Sequence, residues 1–166
     1  MSRVPLPVLA AALGMLFGSA QANDDRARAP QCARALSPAF LVEMTAETCR
    51  SSFPDLSHAF GALELEYDRR NNGKREALLE EFVEIANNNN VAVTRSDALN
   101  YFRSESELGF HDVFPWRSPE PERREACGKL YDMISSGEAD LETTYAEAFT
   151  GCLGEAGSRQ YQHTVR

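Results

Sequence analysis

Phe110-His111-Asp112 is the place in this chain where a histidine stands beside a carboxylate, with Glu105 and Glu107 nearby. A His-Asp pair is the apparatus of a general base held in orientation by an acid, so His111 and Asp112 are the catalytic candidates. Residues adjacent in sequence need not face each other, however, and the plainer reading is a surface or half-buried histidine. His58 and His163 offer less, because neither H-x-x-x-H nor H-E-x-x-H is present. No metal site and no cofactor is therefore expected. The glutamates Glu64/Glu66, Glu80/Glu81/Glu84 and Glu120/Glu122/Glu125 read as solvated helix faces, and none stands in an apolar stretch that would raise it for glycoside hydrolysis. Cys32, Cys49, Cys127 and Cys152 contain no C-x-x-C and no C-x-x-C-H. That sets aside a thioredoxin-like redox site, a paired-thiolate zinc site and c-type haem attachment.

A helical, exported, disulfide-bonded chain with His111-Asp112 resembles the secreted phospholipases A2, and the resemblance implies a small hydrolase. It covers two residues. That family brackets its His-Asp with cysteines and adds a glycine-rich calcium loop, and neither is present here.

Export is read from the first residues. Arg3 supplies a positive start, Val4 to Phe17 is an apolar stretch, and Ala20-Gln21-Ala22 is a small-residue cleavage site before Asn23-Asp24-Asp25. These are the three parts of a secretory signal peptide. The apolar run is shorter than the roughly 20 residues of a membrane span. Residues 1–22 are thus expected to be removed, leaving no membrane span and a destination in the periplasm or the medium. The leader takes only Arg3 from the charge count of 17 Lys and Arg against 25 Asp and Glu, which leaves 16 against 25, a formal −9. Such a surface repels nucleic acid and anionic lipid. Four cysteines in an exported chain imply two disulfides.

The elements follow from apolar spacing. Residues 23–35 read as an extended lead-in containing Pro30. Ser37-Pro38 reads as a helix start, with Ser as cap and Pro at the first position, followed by Phe40, Leu41, Met44 and Thr48 on one side. Leu56, Phe60, Leu63 and Tyr67 predict a second helix over 55–70, stopped by Asn71-Asn72-Gly73, and a third spans 74–86. Asn87 to Asn90 is a loop. Thr94 or Ser96 caps a short helix carrying Ala98, Leu99 and Phe102, and residues 104–117 read as an irregular segment folded onto the core. Ser118-Pro119 opens a helix that Gly137 ends, and a last helix runs from about 140 to 153. The fold class is all-α: one domain of five to six helices over residues 23–156, stapled by two disulfides, with a mobile tail over 157–166.

The last two helices read as an antiparallel hairpin centred near Gly137, which brings Cys127 to Cys152. An extended segment from Cys32 to Pro38 is long enough to run back along its helix to Cys49. The expected pairs are Cys32–Cys49 and Cys127–Cys152, with the leading alternative a bridge from the N-terminal segment to the last helix. The function read from this is an acidic exported binding protein with a protein partner, one form being an inhibitor or immunity-type protein against an envelope-acting enzyme. Its interface candidates are Glu105, Glu107, Phe110, Phe114 and Trp116. The alternatives are a hydrolase using His111 and Asp112, or a helical carrier of an apolar ligand.

Overall fold

The computed structural model of the chain describes residues 20–162. Residues 1–19 of the expected leader over 1–22, and His163 with the last three residues, lie outside the described residues. Among the described residues there are six α-helices, one 3-10 turn and no strand. The all-α class and the two disulfides stand as expected from sequence.

Two long helices form the frame. The first, α1, spans Ala20–Ser52, and the second, α2, spans Ser57–Asn88. At about 1.5 Å per residue each is close to 50 Å long. The turn at Phe53 and the 3-10 residues Pro54–Leu56 fold them back on each other. The antiparallel register is fixed by ion pairs at both ends, Arg50 with Glu64 near the turn and Arg28 with Glu81 near the open end. Shorter helices cover the pair: α3 (Arg95–Val113), α4 (Glu120–Ser136), α5 (Leu141–Thr144) and α6 (Ala146–Gln162).

Three expectations about where helices stop are overturned, each by tertiary packing outweighing local propensity. The expected lead-in over 23–35 is part of α1, which runs straight through Pro30 and Pro38. An interior proline costs about 3 kcal/mol, through a missing N–H and a ring clash. Pro30 sits on the exposed side, and beside Pro38 the Ser37 hydroxyl donates back to the Ala33 carbonyl at 2.8 Å. Cys32, Ala35, Leu36, Ala39 and Phe40 are all nearly or fully buried, and that burial holds the helix together. Asn71-Asn72-Gly73 does not stop α2. Asn71 is buried, and its side-chain amide donates back to the Tyr67 carbonyl at 3.0 Å, so the residue is tied into the helix rather than into a turn. Residues 104–113, read as irregular, continue α3 behind a Thr94 capping box. The Asn run does end α2, with Asn90 left-handed at φ 61°, and Gly137 ends α4 at φ 82° as its position in the sequence suggests.

The core divides along the frame. One cluster joins Ala29 to Phe40 of α1, Leu78 to Ala86 of α2, Phe102 of α3 and Phe149 and Cys152 of α6. The other joins Val42 to Phe53, Phe60 to Tyr67, Phe110 and Phe114, and Cys127 and Ile134 of α4. Each cluster contains one disulfide. These are Cys32–Cys152 and Cys49–Cys127, with Cα–Cα distances of 4.7 and 5.7 Å. The expected pairs Cys32–Cys49 and Cys127–Cys152 are therefore corrected. Cys32 and Cys49 are 17 residues apart on one helix, about 25 Å, far beyond disulfide reach. Cys127 and Cys152 do not meet because α4 and α6 are not a hairpin: the short α5 intervenes, and α6 lies on α1 and α2. Gly154, at φ 71°, breaks α6 just past residue 153, where the sequence places the end of the last helix; residues 157–162, expected as mobile tail, are helical again beyond the break, with Ser158 buried and Tyr161 edge-on to Phe149 at 6.0 Å.

Candidate functional site

The residues singled out in the sequence do not form one site. His111 and Asp112 fall in the last turn of α3, and their side chains lie outside the described part of the structure. His58 is exposed at the start of α2. Glu105 and Glu107 are exposed on α3, but Phe110 and Phe114 are buried, 3% and 6% exposed, and so belong to the core rather than to an interface. They lie inside because α3 extends to Val113 and packs against α1 and α2, with both rings in the core cluster that holds Val42 to Phe53. Trp116 is 41% exposed and stands edge-on to Phe110 and Phe114, with centroids 5.0 and 4.9 Å away. It is the one aromatic candidate left at the surface. Among the described residues no group of three His, Cys, Asp or Glu side chains is arranged to hold a metal ion.

The densest cluster of titratable side chains is one that sequence reasoning missed. Tyr67, Asn71 and Lys74 sit at steps of four and three on α2, all buried. Facing them are Asp140 and Glu142, at the start of α5. Asp140 accepts from Arg70 Nε at 2.9 and 3.1 Å and from Asn71 Nδ2 at 2.9 Å, while Asn71 Oδ1 accepts from the Leu141 N–H at 3.0 Å. Lys74 is paired with Glu142, and Arg70 also donates to the Ile134 carbonyl. Asn71 thus supplies what the first turn of α5 lacks, an acceptor for an otherwise orphaned N–H. The seam uses its charges on one another and fastens the α4–α5 turn to the frame. Two of its atoms stand apart: Tyr67 Oη and Glu142 Oε2 are buried with no hydrogen-bond partner among the described residues. Burial, helped by the Asp140 charge, pushes the Tyr67 phenol well above its ordinary range. The clue was present in the 67–71–74–78 spacing, but a helix ended at Asn71 hides it.

Open surface chemistry gathers instead around the middle of α1, which stands as a ridge between two grooves. The α1–α2 groove, about 490 Å³, has Val42, Gly61 and Leu65 along it together with Glu43, Glu64, Asp68, Arg50, Arg75 and Tyr67. Its ion pairs are Arg50–Glu64 at 2.9 Å and the looser Arg75–Asp68 at 3.8 Å. The Glu64 carboxyl is raised above its ordinary value by burial; Arg50 opposes this, and the charges of Glu47, Asp68 and Glu43 add to it. The α1–α3 groove, about 520 Å³, has Phe40, Met44 and Phe110 with Glu43, Glu47, Glu107 and Arg103. Arg103 is paired with Glu43 at 3.3 Å. The two grooves share Glu43 and together present five carboxylates to three arginines. A third groove, between α1, α4 and α5, is apolar, with Leu41, Leu130, Met133 and Tyr145, and holds about 180 Å³.

No family model matches this chain, and neither does any curated protein or solved structure.

Proposed function

We propose that this chain is an exported binding protein that neutralises or regulates a basic protein partner through the ridge formed by the middle of α1. Two disulfides, each sealed in its own core cluster, suit an oxidising compartment outside the cytoplasm. No helix among the described residues is long and apolar enough to cross a membrane. The leader read from Arg3, the apolar stretch and Ala20-Gln21-Ala22 supports export to the periplasm or the medium. The observation that carries the binding reading is the pair of grooves flanking α1, whose carboxylates outnumber their arginines by five to three. A negative surface of this kind steers a basic partner and discriminates against acidic ones. An inhibitor or immunity-type protein that covers a basic site is the concrete form of the proposal. Carriage of an apolar ligand has less behind it, because the apolar groove of about 180 Å³ is smaller than the roughly 300 Å³ at which small-molecule sites begin.

The test is capture from envelope extract with the oxidised chain over residues 23–166 as bait, followed by association kinetics with the recovered protein at two salt concentrations. The expected result is a stoichiometric complex with a basic protein whose association slows as salt rises. A measurable turnover that disappears in His111→Ala, with the helical circular dichroism intact, would replace this reading with a hydrolase.

A further inference from the structure

Two independent features coincide in the α1–α2 groove. The first is a run of carboxylates, since Glu43, Glu64 and Asp68 line it beside Arg50 and Arg75; Glu64 is paired with Arg50, Glu43 with Arg103 of the neighbouring groove and Asp68 only loosely with Arg75, and Glu64 stands within the field of Glu47 as well. The second is Tyr67, which also lines the groove. It is 4% exposed, its hydroxyl has no hydrogen-bond partner among the described residues, and burial first and then the Asp140 charge raise its phenol, with Arg75 opposing and Asp68 adding to this. A buried hydroxyl without a partner is uncommon and calls for an occupant or a cause.

We infer that the α1–α2 groove is the seat for a lysine or arginine side chain presented by a protein partner, its stem lying along Val42, Gly61 and Leu65 and its cationic head held by Asp68, Glu64 and the Tyr67 hydroxyl. This rests on the binding-protein reading and names the chemistry its partner must carry. The Arg75–Asp68 contact is the looser of the two ion pairs in the groove, and Asp68 is half-exposed, so an incoming cation can take the place of Arg75 beside it. A long basic side chain suits such a site because it buries an aliphatic stem while its head stays in a polar setting. A protein segment suits the groove better than a free amine. Leu65 at the rim is 73% exposed, and the neighbouring α1–α3 groove continues the surface through the shared Glu43, so the patch is wider than one small cation.

The probe is a synthetic amphipathic peptide with lysines along one face, titrated into the isotope-labelled, oxidised chain and followed by chemical shifts and calorimetry, with spermidine as a parallel arm. Shifts centred on Val42, Gly61, Leu65 and Tyr67 are expected. Glu64→Gln with Asp68→Asn should weaken the peptide at least tenfold, whereas Glu80→Gln with Glu84→Gln, exposed elsewhere on α2, should change it less than twofold. Tyr67→Phe should melt at the same temperature or higher and still bind several-fold more weakly. Equal losses in the two glutamate variants, or shifts spread over every acidic face, overturn the seat in favour of unspecific attraction. Spermidine binding as tightly as the peptide overturns the protein source. A partner recovered from the envelope that binds the Glu64, Asp68 and Tyr67 variants undiminished also rejects the seat and leaves the binding-protein reading standing. Failure to recover any partner rejects the function itself.

Discussion

Replacing Asp140 with alanine should be the most damaging single change to a polar residue of this protein. Asp140 is 3% exposed and receives three side-chain hydrogen bonds, two from Arg70 and one from Asn71. Its removal takes one acceptor from the Asn71 amide, which is 2% exposed and keeps only the Tyr67 carbonyl for its Nδ2, and deprives a mostly buried guanidinium of its main counter-charge. Breaking a buried pair by deleting one partner costs about 3–5 kcal/mol. Arg70 retains Glu66 at 3.3 Å and the Ile134 carbonyl, which places the expected loss at the lower end, about 3 kcal/mol. For a domain of this size that is a fall in Tm of roughly 6–12 °C. Asn71→Leu should cost about 2 kcal/mol, because it removes the acceptor of the Leu141 N–H along with the amide. The two changes act on one network, so the double variant should lose less than the sum of the singles, by 1 kcal/mol or more. Urea unfolding of the oxidised protein, followed by circular dichroism, measures all three. If Asp140→Ala costs under about 1 kcal/mol, or the two changes add simply, the seam is not what holds the α4–α5 turn and the reasoning fails.

Four other outcomes follow from the same structure. Non-reducing proteolysis with mass analysis should recover Cys32 joined to Cys152 and Cys49 joined to Cys127, in a chain that begins at Asn23 and has no free thiol; a retained Met1 or any other pairing refutes this. Removing either bridge as a paired Cys→Ser change should cost about 4–5 kcal/mol, since each closes a long loop, with separations of 120 and 78 residues. Melts between pH 7 and pH 2 should show stability lost as pH falls from about 4.5 toward about 2. Glu66 is held down to about 2, first by its hydrogen bond to Arg69, and Asp55 beside Arg124, Asp97 beside Thr94 and Glu125 beside Lys129 are lowered as well. Each favours the folded state while ionised and loses that advantage on protonation, and Glu66→Gln should flatten the decline; Glu64, whose value is raised, runs the other way. Trp116→Ala should cost about 1–2 kcal/mol through its two edge-on ring contacts and leave the helical spectrum unchanged, whereas an unfolded product would show it to be core.

What the sequence made legible, and what it hid, divides along a physical line. The faces of helices were legible. Phe60, Leu63 and Tyr67 on α2, and Cys127 and Ile134 on α4, are buried as their spacing requires, because periodicity reports burial directly. The Thr94 cap and the left-handed Gly137 were legible because a cap or a positive φ is decided within a few residues. Helix ends decided by distant partners were not legible. Ser37-Pro38 carries a local start signal and Asn71-Asn72-Gly73 a local stop signal, and both are overruled inside helices of 33 and 32 residues. In each case the overruling group lies far away in the chain: Cys152 for the segment around Cys32, and Asp140 with Leu141 for Asn71. The disulfide error follows from the first of these. A lead-in judged extended lets Cys32 fold back to Cys49, whereas the same residues in a helix carry Cys32 along the frame to α6. The missed polar seam follows from the second, because breaking α2 at residue 71 separates Lys74 from the stripe that carries Tyr67 and Asn71. The α1–α2 groove owes little to either correction, for Glu43 and Arg50 lie beyond Pro38, Glu64 and Asp68 lie before Asn71, and only Arg75 stands past the expected break. The surface on which the proposed function rests is instead a product of the turn at Phe53 and Pro54–Leu56, which folds these two stretches together and which the Arg50–Glu64 pair fastens.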